Sequence, residues 1–146
     1  MRQTRAQYFI ELFHYWMGRL GLQNDVPTIR DNRYDCHACI LQEDDGKATL
    51  KYNANRLAKW SKPYIIQGVL HEIGHYINNA PYNTEEEQVY EELSAEIFAL
   101  TMMRCYYPKE YKDYIKEIRS KIRKPYFMKR QDNIHIAMLN MVREYM

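Results

Sequence analysis

A chain of 146 residues, 46% of them hydrophobic, with a net charge of only +2, is long enough to bury one substantial core and gives no reason to expect two domains. No apolar run approaches the ~18 residues that a membrane-crossing helix needs. Three cysteines, an odd number, exclude a complete disulfide framework and suit a reducing compartment.

From Thr4 to about Leu20, Phe9, Leu12, Phe13, Trp16 and Leu20 recur at three- and four-residue steps, the period of an amphipathic helix. Gly21 ends it. Arg2, Arg5, Glu11 and Arg19 interrupt the apolar positions, which is unlike a cleavable signal. A cytoplasmic protein is therefore expected. His14 lacks a neighbouring ligand pattern and reads as a packed or surface histidine.

Pro27 to Asn32 is expected to be loop. Tyr34–Leu41 and Lys47–Tyr52 follow as two strands, joined through Glu43-Asp44-Asp45-Gly46, a turn ending in glycine. Cys36-His37-Ala38-Cys39 resembles half of a zinc knuckle, but a closed structural site needs four ligands and Cys105 has no companion. Asn53–Trp60 is a short connection with room for one helical turn.

The next helix carries the chemistry. Ser61 is a cap candidate and Pro63 falls in the first turn, where its missing N–H costs little; Asn78, Asn79 and Pro81 stop the helix. Ile66, Val69, Leu70, Ile73 and Ile77 form the expected buried face. Tyr64, Gly68, His71, His75 and Asn78 fall on another. In His71-Glu72-Ile73-Gly74-His75 the two imidazoles stand four positions apart, so on a helix they share a face and can meet one metal ion. Glu72 lies about 100° round from His71 and can remain off the metal as a base acting on water. Two incidental histidines on a core helix are the bland alternative, and packing alone explains them poorly.

Thr84 and Glu87 match a capping box, opening a second long helix that runs through Val89, Leu93, Ile97, Leu100 and Arg104 to the limit set by Pro108. Helices at about Lys109–Ile122 and Asn133–Tyr145 follow, separated by Lys124-Pro125. Residues 101–146 hold eleven Lys/Arg against five Asp/Glu, whereas residues 1–100 hold ten against fourteen. Lys112, Lys116, Arg119, Lys121, Arg123, Lys124, Lys129 and Arg130 could contact an acidic partner or nucleic acid, although a solvated helix face is the commoner meaning of such a run.

A catalytic zinc site has three protein ligands and an open position. A metzincin continuation fails because position 78 is Asn and position 81 is Pro. Glu91, Glu92 and Glu96 remain on the second long helix. Glu92 shares its face with Ala95 and Ala99, whose small side chains let that helix lie close to the first, and it is the preferred third ligand.

The motif His71-Glu72-Ile73-Gly74-His75-Tyr76, followed by Glu92-Leu93-Ser94-Ala95-Glu96-Ile97-Phe98-Ala99, resembles the gluzincin pattern of the ImmA/IrrE family of bacterial and phage metallopeptidases, over roughly residues 35–108. The resemblance implies a zincin-like α+β domain: a small sheet or hairpin, an active-site helix, a glutamate helix and C-terminal helices. It implies one Zn2+ per chain on His71, His75 and Glu92, and a phage or mobile-element setting. Glu96 stands where the family usually has Asn, so it is either the partner of a zinc histidine or a rival third ligand. Oxyanion stabilisers in zincins are a tyrosine or histidine, for which Tyr76, Tyr106, Tyr107 and His135 are candidates. By the same analogy Tyr34–Leu41 is the strand on which extended substrate would lie.

The expected activity is zinc-dependent endopeptidase cleavage of an intracellular, regulatory protein or peptide, with Glu72 as general base and no membrane partner. The alternative is a non-catalytic zincin scaffold that captures a regulator or nucleic acid through the basic C-terminal half. The presence of Glu72 speaks against that alternative, because a binding protein has no need of a base there.

Overall fold

A computed structural model describes residues 2–79, 83–129 and 131–144. Pro81, read above as part of a helix stop, Arg130 of the basic run, and Tyr145, the expected end of the last helix, lie outside the described residues.

Helix α1, Arg5–Arg19, begins with a full capping box: Gln7 N donates to Thr4 Oγ1 and Thr4 N to the Gln7 side chain. Gly21 follows with φ +69°, the left-handed conformation that glycine adopts without penalty. Phe9, Phe13, Trp16 and Met17 are buried. They form one wall of the core.

The sheet holds β1 (Thr28–Arg30), β2 (Ala38–Gln42) and β3 (Ala48–Tyr52) in the order β1-β3-β2. β2 pairs antiparallel with β3, with Cys39 opposite Lys51 and Ile40 opposite Leu50, and β1 pairs parallel with β3. The expected loop at Pro27–Asn32 thus contains a strand. Its three residues are all exposed, so no buried alternation marks them in the sequence; Leu50 N donates to Pro27 O and holds them in place.

β2 also starts later than expected. Residues 35–37 bend before the strand begins at Ala38. Asn53 explains the bend, since its side chain donates to the carbonyls of Asn32 and Tyr34 while Asn53 N donates to His37 O. The Asn53 carboxamide oxygen also accepts from Asn55 N and Arg56 N, capping α2 (Ala54–Leu57). His37 stacks on Trp60 at 4.2 Å, and burial pushes its pKa down to about 4. The imidazole is thus a neutral stacking partner at pH 7.

Helix α3, Lys62–Asn78, is capped by Ser61 with Pro63 in its first turn. Ile65, Ile66, Val69, Leu70 and Ile73 are completely buried, each such side chain contributing about 1.5–3 kcal/mol. Ile77, expected on that face, is 49% exposed. Gly68, assigned to the less apolar side, is buried instead, with the Trp60 ring where a Cβ would go.

Helix α4, Glu85–Tyr106, starts at Thr84, whose hydroxyl accepts from Glu87 N. Glu87 reaches back to Asn83 N and not to Thr84. Helices α5 (Pro108–Ile122), α6 (Pro125–Lys129) and α7 (Asn133–Val142) complete the chain. The short α6 occupies part of what read as a plain separator. The sheet lies against α3, α1 and α4 pack on the same helix, and α7 folds back onto α4. The architecture is a mixed α+β fold with a small three-stranded sheet, and among the described residues no helix is long and apolar enough to cross a membrane.

Candidate metal centre

His71 and His75 stand four positions apart on one helix, and the side chains converge accordingly: their Nε2 atoms are 3.1 Å apart. α4 supplies the third group. Glu92 places Oε2 3.0 Å from His71 Nε2 and Oε1 3.3 Å from His75 Nε2. One ligand atom from each of the three lies within 4.8 Å of the others. Donors about 2.0–2.1 Å from a tetrahedral ion stand roughly 3.3 Å from one another. The donor set and its spacing therefore fit a small divalent cation.

The close approach of α4 depends on a residue that the sequence reading left unexplained. A Cβ on Gly74 would sit 2.9 Å from Ala95 Cα and 3.1 Å from Ala95 O. Gly74 and Ala95 are the point of contact between the helices, and Glu92 is three residues from it on α4. Ala95 and Ala99 are fully buried, in keeping with the small-residue face that singled out Glu92.

Two further carboxylates orient the histidines. Glu96 Oε2 lies 3.3 Å from His71 Nδ1, without an aligned hydrogen bond, and Gln67 Nε2 donates to both Glu96 oxygens at 3.1 and 2.9 Å. Glu96 therefore faces the nitrogen of His71 that points away from the ligand cluster. Glu91 plays the equivalent part for His75: its Oε1 is 3.1 Å from His75 Nδ1, and Asn78 donates to its Oε2. Carboxylates behind both imidazoles fix ring orientation and raise basicity. The role of Glu91 was not legible, because its position opposite His75 follows only from where the facing helix lies.

Burial works against a positive charge on His71 and His75, but Glu92 and its neighbours carry both imidazole pKa values above the ordinary value. Burial likewise opposes ionisation of Glu92, yet bonds from the two histidines hold its carboxyl well below the usual carboxylate range. A cation entering the cluster must displace protons from the imidazoles, so binding weakens in acid.

Glu72 lies off this ligand set. Burial lifts its pKa above the usual carboxylate value, against the opposing pull of His71 and His75, and Ile40 N donates to its Oε2 at 3.3 Å. It faces a cleft of about 400 Å³ whose walls include Cys39, Ile40, His75, Glu92, Asp132 and His135. His135 is thus brought to the site from α7. Asp132 caps that helix and binds His135 Nδ1 at 2.9 Å, leaving Nε2 directed to the cluster, 3.8 Å from Glu92 Oε2.

The tyrosine candidates are not brought there with it. Tyr107 accepts a hydrogen bond from Trp16 Nε1, Tyr106 packs edge-on against the same indole, and Tyr76 packs against the hydrophobic core. Cys36 is exposed and Cys39 half-buried, both as free thiols.

Changing each glutamate of α4 in turn should rank these roles. Glu92→Gln is expected to weaken metal binding most, and Glu96→Gln and Glu91→Gln by roughly 10–100-fold each, the usual range for partners of metal-bound histidines. Competition titration with a chromogenic chelator measures all three. A larger loss for Glu96→Gln than for Glu92→Gln would move the third ligand to position 96.

Comparison with family models, curated proteins and solved structures finds no match to this chain.

Proposed function

We propose that the protein is a zinc-dependent endopeptidase of zincin type, acting by water attack on a peptide bond. The observation that carries this reading is the convergence of His71, His75 and Glu92 within 4.8 Å beside a half-buried carboxylate, Glu72, that is not part of the cluster. A purely structural metal site is closed by four protein ligands. Three ligands and a neighbouring base on a cleft are the makings of hydrolysis.

Held by His71, His75 and Glu92, zinc would supply the Lewis acidity to lower the pKa of water toward ~7 and to polarise a carbonyl. Glu72 takes the proton of the attacking water and delivers it to the leaving amine. Its raised pKa favours the first half of that task, since a carboxylate that holds a proton more firmly is the stronger base. His135, held by Asp132, is the group best placed to stabilise the oxyanion with Nε2.

Substrate binding falls to β2. It is an edge strand, and along an antiparallel ladder alternate residues turn their amides away from the partner. The bonds at His37 and Glu43 to the β3 side put Ala38, Ile40 and Gln42 in the outward set; the Ile40 amide is held by Glu72, which leaves those of Ala38 and Gln42 for a substrate. An extended peptide can add to that edge as a further strand. The pairing segment is thus Ala38–Gln42 and not Tyr34–Leu41. The resemblance to ImmA/IrrE peptidases suggests a regulatory protein as substrate.

Incubating the zinc-loaded protein with a peptide library, with cleavage sites read by mass spectrometry, tests the proposal. Cuts at defined bonds that cease on chelation are expected. Failure to cut any member while zinc is bound stoichiometrically would overturn it.

A further inference from the structure

The largest cavity among those described lies away from the metal centre. It is a groove of about 710 Å³ along α5, lined by Lys112, Lys116, Arg119, Ser120, Arg123 and Lys124 together with Tyr111 and Ile115. Five cations and no acid line it. All five are exposed.

Helix geometry makes this arrangement a stripe. Lys112, Lys116, Arg119 and Arg123 succeed one another at steps of four, three and four residues, so they fall within about 60° of arc. The acids of α5 are placed elsewhere. Glu110 is 4.0 Å from Lys62, and Glu117 accepts from Ser61 Oγ and faces Lys121. Asp113 lies about 100° round from Lys112. Among the described residues none of the five groove cations has a carboxylate within ion-pair distance. Their charge is available to a partner.

We propose that this face of α5 binds the phosphate backbone of nucleic acid, without reading its sequence. The eleven steps from Lys112 to Arg123 span about 16 Å of helix, over which one strand of B-form DNA advances by about five phosphates at 3.4 Å each. Four cations in line can follow such a strand. An anionic membrane fits less well, because a helix that lies on lipid must offer its apolar side, whereas Tyr114, Ile115, Ile118 and Ile122 are buried in the protein. An acidic peptide carries no comparable regular spacing.

The stripe is separable from the metal centre. α5 meets α3 at Ser61 and Lys62, and His71 stands ten residues further, about 15 Å along that helix. Nucleic-acid binding can therefore be measured without reference to catalysis.

Fluorescence anisotropy of a labelled 20-base-pair duplex and a labelled 20-nucleotide single strand of mixed sequence tests the proposal. About four phosphate contacts predict a slope of roughly −3.6 in log affinity against log salt for the duplex, or about 150-fold weaker binding at 200 mM than at 50 mM salt. The exposed double substitution Lys116→Glu/Arg123→Glu should weaken binding at 50 mM by at least tenfold and flatten the slope by about two. His71→Ala should bind as wild type does, whether or not the protein proves to be a peptidase. The proposal is overturned if neither probe binds at 50 mM salt, if the double variant binds unchanged, or if loss of His71 abolishes binding. Capture of phosphatidylserine vesicles in place of both probes would overturn it in favour of a lipid surface.

Discussion

Glu72→Gln is expected to suppress peptide cleavage by at least 10²–10⁴-fold, the usual contribution of a general base, with metal content and fold retained. The metal should stay because Glu72 is outside the cluster of His71, His75 and Glu92. Local structure should stay because a glutamine carbonyl can still accept from Ile40 N, as the carboxylate does at 3.3 Å. Volume hardly changes, so no cavity or overpacking cost arises. Replacing this half-buried carboxyl by a neutral amide also removes the charge whose desolvation lifts the Glu72 pKa, so thermal stability should be equal or slightly higher. Cleavage rates, elemental analysis and thermal unfolding on the same preparation decide the matter. Activity within tenfold of wild type would remove Glu72 from the mechanism, and loss of metal would make it a ligand.

Gly74→Ala is expected to damage both stability and metal affinity through a single methyl group. In an unobstructed helix the same change stabilises by up to ~1 kcal/mol. At Gly74 the added Cβ meets the Ala95 backbone at 2.9 Å. Backbone cannot turn aside as a side-chain tip can, so α4 has to move away. Overpacking of this kind costs about 1–3 kcal/mol, which less the gain in propensity leaves a net loss of up to ~2 kcal/mol, and a midpoint lowered by up to roughly 8 °C should result. Because Glu92 moves with α4, metal affinity should fall as well. Gly18 is the internal comparison: on α1, a Cβ there meets nothing within 4 Å, so Gly18→Ala should raise the midpoint. Equal behaviour of the two variants would mean that α3 and α4 are not in backbone contact.

The long helices were legible because each carries its own local signals, whereas the five-residue α6 was not. Thr4, Ser61 and Thr84 all cap as side chains of that type do, and periodic apolar residues fill the spans between. The histidine pair was legible for the same reason, its spacing being that of one helix. Glu92 could be chosen because Ala95 and Ala99 mark where a neighbour comes close.

What escaped depends on partners remote in sequence. β1 exists through its pairing with β3 and has no buried residue of its own. Ile77 continues the apolar period but is left exposed, since a period does not say where the facing surface ends. Glu91 differs from its neighbours only in lying opposite His75, and Asp132 and His135 reach the cleft only because α7 returns to α4.

Asn53 has a dynamic consequence. Its side chain and its amide hold the carbonyls of Asn32, Tyr34 and His37 on one side and the first amides of α2 on the other. These bonds share one buried residue, so they are lost together when it leaves its site. Opening of the segment before β2 is then a cooperative event with a single free energy, not a gradual fraying from Asp31 onward. In hydrogen exchange the amides of Asn53, Asn55 and Arg56 should form one protection class. The bend at residues 35–37, which delivers the chain to the outer edge of the sheet, is accordingly either fully formed or released as a unit.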